Sequence, residues 1–70
     1  MENEFIPKLQ KQSDDGTELT IYLDAHHAWF LAKSEKGIPK ERPLGAFRSP
    51  DAAKRFGDRE HAGGSWQTVS

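Results

Sequence analysis

The sequence predicts an α+β fold: a small, mainly antiparallel sheet of four or five strands with one helix packed on one face. Three features predict it. Residues 18–24 alternate strictly, with Leu19, Ile21 and Leu23 on one side and Thr20 and Tyr22 on the other, which is the period of a half-buried strand. Ser49-Pro50-Asp51 opens a run in which Ala52, Ala53 and Phe56 recur at helical spacing. Gly63-Gly64 then stops that run and returns the chain. A sheet and a helix that each carry one apolar side satisfy the two-layer rule, and the Phe56 stripe is expected on the Leu19/Ile21/Leu23 face.

The elements follow in order as β-β-β-β-α-β. Residues 4–10 alternate weakly, with Phe5, Pro7 and Leu9 on one side. Pro7 has no N–H to give a ladder, so this strand is expected at an edge. Asp14-Asp15-Gly16-Thr17 signals a turn, because glycine supplies positive φ and aspartate bonds the local backbone. After strand 18–24 and a short connection at Ala25-His26, residues 27–33 read as a third strand. Ala28, Phe30 and Ala32 take one face and His27, Trp29 and Leu31 the other. Its alanines also suit a helix across 24–33, but Trp29-Phe30 and the neighbouring strand favour the sheet.

Residues 34–43, with Gly37, Pro39 and Pro43, read as a polar loop, and 44–47 as a short strand. Ser49 is the helix N-cap, Pro50 the pre-organised first position, and Asp51 an anion where the macrodipole favours one. Gly57 weakens a helix this short, so packing must hold it. Residues 65–69 are the last strand, with Trp66 and Thr68 on one side.

Seventy residues without cysteine make one small domain over 1–70. A chain of this size buries only about 60% of its unfolded surface, and neither disulfides nor thiolate metal sites supplement the core. Seven aromatics spread along the chain supply area for one. The N-terminus Met-Glu-Asn-Glu-Phe is acidic and no apolar run follows it. No signal peptide or spanning segment is read, and the expected location is the cytoplasm, away from membrane.

The formal charge is −1, which argues against a general nucleic-acid binder. Residues 1–32 carry two lysines against six carboxylates, a net −4, and residues 33–70 carry eight cations against five carboxylates, a net +3. A mixed, solvated surface is the preferred reading over a basic face for an anionic partner.

No motif calls for a cofactor. Copper or zinc would have to use His26, His27 and His61, since imidazole suits both. Adjacent strand histidines point to opposite faces, so His26 and His27 share a metal only on a turn. Asp24 beside them reads as a turn cap, and no nucleophile stands in a catalytic context with them. On the helix, Arg48, Lys54, Arg55 and Arg59 lie near Phe47, with Asp51 one turn before Arg55. A salt-bridged, solvated face is expected there, with nucleic acid as the lesser alternative. Trp29 and Trp66 suit hot-spot anchors or core, one expected buried and one partly exposed. With Tyr22, Arg48 and Arg55 they form the expected partner-binding set.

As an ordered string, Leu23-Asp24-Ala25, Ala28-Trp29-Phe30, Pro43-Leu44-Gly45, Ala46-Phe47 with Ser49, Ala52-Ala53, Phe56 and Gly63-Gly64 resembles the C-terminal portion of the NosL family, the nitrous-oxide reductase accessory proteins. The resemblance covers about residues 20–69. It implies an exported lipoprotein that binds copper(I) through soft ligands and serves assembly of a copper enzyme. The chain departs from that pattern at Leu44, where the family has methionine. It has no cysteine, and Met1 is its one thioether. Copper(I) favours thiolate and thioether, so the resemblance carries the fold further than the metal.

The leading expectation is a non-enzymatic binding or adaptor module that works through protein–protein contact, its oligomeric state open and a homodimer included. Metal handling is second and nucleic-acid binding through the 48–59 helix third.

Overall fold

The computed structural model describes residues 5–69. It contains β1 (Ile6–Gln12), β2 (Glu18–Leu23), β3 (Trp29–Glu35), β4 (Ile38–Pro39), β5 (Gly45–Phe47), α1 (Pro50–Glu60) and β6 (Gln67–Thr68). The strands form one sheet in the order β4-β3-β2-β1-β6, with β5 beside β4 on the free edge of β3. Every pair is antiparallel. The single helix packs on one face, so the fold is the expected α+β arrangement. Among the described residues no helix is long and apolar enough to cross a membrane.

The alternation of β2 sets the core. Leu19, Ile21, Leu31 and Ala53 are fully buried, and Leu9, Trp29, Phe47, Phe56 and Trp66 pack around them. The helix starts as its sequence dictates: Ser49 Oγ accepts the Ala52 N–H at 3.2 Å and Pro50 fills the first position. Phe56 lies against the core as expected, though only half-buried. The deepest helix positions are Ala53 and Gly57. Gly57, a liability for propensity, is a seat: a Cβ there would come within 2.9 Å of the Trp66 ring and 3.3 Å of Leu19.

Four local expectations are corrected. The 34–43 loop contains a hairpin, because Lys36 and Gly37 adopt φ of 55° and 83°, the left-handed pair that a two-residue hairpin turn needs. That turn returns the chain as β4. The first strand runs 6–12 rather than 4–10, with Glu4 outside the described residues, and β6 pairs with it at Leu9 and Gln10. It is therefore not the edge. Pro7 is tolerated because the register with β2 slips between Pro7 and Leu9 and β6 does not reach it. The slip also separates the expected Phe5/Pro7/Leu9 side: Leu9 opposes Ile21, while Pro7 opposes Tyr22 on the other face.

His27 is not in β3, whose first residue is Trp29; His27 sits in the preceding turn at φ 64°. Finally, Gly63-Gly64 is not the helix cap. His61 caps α1 in an extended conformation, its N–H bonded to the Gly57 carbonyl. The glycines lie beyond, at φ 92° and 82°, where the chain docks on the β1–β2 turn. A Cβ on Gly64 would fall 2.1 Å from the Gln12 carbonyl oxygen, so the docking requires glycine.

The second sheet face has no helix, yet Thr20, Tyr22 and Ala32 on it are buried. Thr20 Oγ1 and Ser34 Oγ lie 2.6 Å apart. Ser34 spends its proton on Glu18 at 2.6 Å, so Thr20 is the donor to Ser34. Glu18 also accepts the backbone N–H groups of Lys36 and Gly37, and Tyr22 donates to the Gly37 carbonyl at 2.9 Å. The network pins the β3–β4 turn. Burial alone would raise the Glu18 carboxyl, but bonds from Ser34, Gly37, Gln10 and Lys36 outweigh it and hold it below its ordinary value.

Candidate partner-binding face

The β5–α1 corner gathers an aromatic floor and unpaired cations. Phe47 leaves β5 opposite Trp29, and its ring centre lies 5.5 Å from that of Phe56 at 52°. Ala52, Arg55, Phe56 and Arg59 follow at i, i+3, i+4 and i+7, one stripe of the helix. With Phe47 they line a concave groove of ≈ 380 Å³. The Arg59 guanidinium lies 5.9 Å over the Phe56 ring. Arg48 is exposed in the two-residue connection into the helix.

The expected salt-bridged face forms at Lys54 but not at the three arginines. Asp51 reaches Lys54 at 4.0 Å rather than Arg55, and Asp58 is taken by Lys11 at 2.7 Å. Among the described residues no carboxylate lies within ion-pair distance of Arg48, Arg55 or Arg59.

The remaining expected partner residues do not form one patch. Tyr22 is 3% exposed and lies on the face opposite Trp29 and Trp66. Burial, foremost, raises its phenol above the ordinary value. Both tryptophans are half-buried against the core, where one buried and one partly exposed were expected. Trp66 donates from Nε1 to Asp58 at 3.0 Å.

The histidines are not brought together. His26 and His27 occupy the β2–β3 turn, whose backbone Asp24 caps by accepting the His26 and Ala28 N–H groups at 2.9 Å each. His61 lies at the other end of β2, beside the β1–β2 turn, roughly 20 Å away at the strand rise of ~3.3 Å per residue. There its Nδ1 donates to Asp15 Oδ2 at 3.0 Å. Among the described residues no group of three or more His, Asp or Glu side chains is placed to hold a metal ion. The His61 hydrogen bond, with the Thr17 backbone N–H behind it, lowers the Asp15 carboxyl from 3.8 to about 2.

One functional-looking group, Lys11, and one contact, that of Arg59, lie outside the sequence reading. Lys11 is 3% exposed; its Nζ donates to Asp58 Oδ1 at 2.7 Å and to the His61 carbonyl at 2.8 Å, and lies 5.3 Å over the Trp66 ring. The signal was there in outline, since Lys11 shares the period-two face of Leu9. The sequence places Arg59 on the basic edge of the helix; its guanidinium over the Phe56 ring is what the structure adds. A larger cleft of ≈ 510 Å³ beside β1 and β6 is lined by Gln10, Gln12, Glu18 and Gln67. Its one carboxylate, Glu18, is already committed to the β3–β4 turn.

No family model, curated protein or solved structure matches this chain.

Proposed function

We propose that the protein is a small, non-enzymatic binding module that acts through protein–protein contact, and that the β5–α1 corner is the face it uses. The observation that carries this reading is the union of a Phe47/Phe56 floor with Arg48, Arg55 and Arg59, which have no carboxylate partner among the described residues. Aromatic and arginine side chains dominate binding energy at protein interfaces. Two arginines one turn apart repel each other and cost the helix a few tenths of a kcal/mol. A partner that supplies counter-charge recovers that cost.

The copper-handling alternative, which the NosL resemblance implies, has less to stand on here. It would have to work with His26 and His27 alone or with His61 alone. The β5–α1 corner, by contrast, already combines shape, apolar surface and charge.

A photo-crosslinking residue at Ala52, at the groove, tests the reading against the same residue at Gln67, on the opposite side of the sheet. In lysate of the native host, one protein should be captured from position 52 and not from position 67. Equal capture from both positions, or capture from 67 alone, removes the β5–α1 corner as the contact face.

A further inference from the structure

We infer that the partner engages this groove with an acidic peptide segment that carries one bulky apolar anchor, a proposal that rests on the contact face proposed above. The charge of the groove argues for the acid. Its lining holds Arg55 and Arg59 and no carboxylate, and Arg48 adds a third cation at the helix entry. Arg55 and Arg59 are four residues apart, about 6 Å along the helix axis. Two acidic side chains separated by one helical turn, or by two strand positions, span the same distance. Arginine's planar fork takes a carboxylate through two parallel hydrogen bonds, which fixes orientation as well as charge.

The anchor follows from the floor. Phe47 and Phe56 meet at a tilt, and both are packed into the core from behind. With Ala52 they supply the apolar share of the groove's lining, a slot flanked by Arg55 and Arg59. A leucine- or phenylalanine-sized side chain fills such a slot, and desolvation of the flanking arginines by its backbone strengthens their bonds to carboxylates.

The same geometry disfavours a stacked nucleobase. Stacking needs an open ring face, and the Phe56 face carries the Arg59 guanidinium while Phe47 is turned against Phe56. Asp51, Asp58 and Glu60 on the same helix further weaken the field that a phosphate backbone would follow. An acidic peptide needs two or three local contacts and tolerates those carboxylates.

The probe is a short synthetic peptide with one leucine flanked on both sides by aspartates. It is compared with a version in which leucine becomes alanine, a version in which every aspartate becomes asparagine, and a single-stranded oligothymidylate. Backbone amide spectra of the full chain report both affinity and place. The aspartate–leucine peptide should shift the amides of Phe47, Ala52, Arg55, Phe56 and Arg59, and each altered peptide should bind about tenfold more weakly or worse. Arg55→Glu with Arg59→Glu, both at exposed positions, should abolish the shifts while the rest of the spectrum stays folded.

Equal binding of the asparagine peptide overturns the acidic requirement. The contact face survives that outcome if the shifts stay on the groove or if position 52 still captures its partner. Shifts on the opposite sheet face overturn both. A spectrum unmoved at millimolar peptide overturns the acidic segment as occupant. Preferential oligothymidylate binding in the groove, falling steeply with salt, makes the ligand a nucleic acid and overturns the protein reading as well.

Discussion

Among the described residues a cation lies over an aromatic ring at two places, and the two behave oppositely. At the sheet–helix seam, Lys11 lies 5.3 Å over Trp66 with its side chain fully buried. It has two acceptors, Asp58 and the His61 carbonyl. Trp66 shares the same Asp58 oxygen. At the β5–α1 corner, Arg59 lies 5.9 Å over Phe56, exposed, and no carboxylate among the described residues answers it. The first arrangement is closed: Lys11 and Trp66 both donate to acceptors within the chain, and the helix end is tied to β1. The second is open, with its charge directed outward. A satisfied polar knot holds the fold together, while an unsatisfied one on an aromatic floor is what a partner can use.

The largest expected effect tests the closed side. Lys11→Ala removes two charge-assisted bonds and the aliphatic stem beneath Trp66, and should cost about 2–3 kcal/mol in urea unfolding. The figure sits below that of a fully buried pair because Asp58 is 54% exposed and water can take over its solvation. Lys11→Met should recover the packing share and lose less. A Lys11→Ala variant as stable as the parent chain would break the comparison, since the seam would then be no better tied than the corner.

Next in size is the glycine pair that the knot depends on. Gly64→Ala forces a Cβ to within 2.1 Å of the Gln12 carbonyl oxygen, which is backbone and cannot swing away. Gly63→Ala meets the Asp14 side chain instead, which is exposed and can move. Both carry the cost of positive φ, about 1 kcal/mol, and Gly64→Ala should exceed Gly63→Ala by a further 1–2 kcal/mol or so. Thermal unfolding of the two variants side by side measures the difference. Equal values would mean that the loop moves freely over β1.

What the sequence could and could not reveal follows the same division. Period-two alternation in β2 and the Ser49-Pro50-Asp51 entry were legible because they are local, and they placed the sheet face, the cap and Phe56. Pro7 misled because a bulge two residues long decides both its edge status and its face, and a register slip leaves no mark on one strand's sequence. Gly63-Gly64 read as a helix stop because glycine after a helix usually is one; the real demand comes from Gln12, some fifty residues earlier in the chain. The groove was half legible. The sequence points to Arg55, Arg48 and Phe47, but it places Asp51 within reach of both Lys54 and Arg55, and only the side-chain positions show that it pairs with Lys54.

A smaller effect probes how the closed side is fastened at its rim. Asp15 has its carboxyl held at about 2 by His61. A group depressed in the folded state stabilises it above the unfolded value, here 3.8, and loses that contribution as pH falls toward 2. Asp15 is exposed, so the contribution is modest. Asp15→Asn should flatten the acid limb of the stability profile between about pH 4 and pH 2 and leave stability near neutrality slightly reduced. Glu18, also depressed, destabilises in the same direction on acidification, so the Asp15→Asn profile should retain a residual slope that Glu18→Gln removes. An unchanged limb in Asp15→Asn would mean that the His61 contact does not persist in solution.

The smallest expected change in stability falls on the open side, and its smallness is the point. Arg59→Ala removes a cation that sits over Phe56 but has no carboxylate, and exposed substitutions of this kind change stability by about 0.5 kcal/mol or less. The sign itself is informative. Loss of the Phe56 contact destabilises, while relief of the Arg55–Arg59 repulsion stabilises by a few tenths of a kcal/mol, so the two nearly cancel. Added salt should leave Arg59→Ala slightly the less stable of the two, because screening weakens the repulsion in the parent and has nothing to weaken in the variant. A cost near that of Lys11→Ala would make Arg59 part of the scaffold. The corner would then be a second fastening, and the case for a partner there would have to find its cations elsewhere.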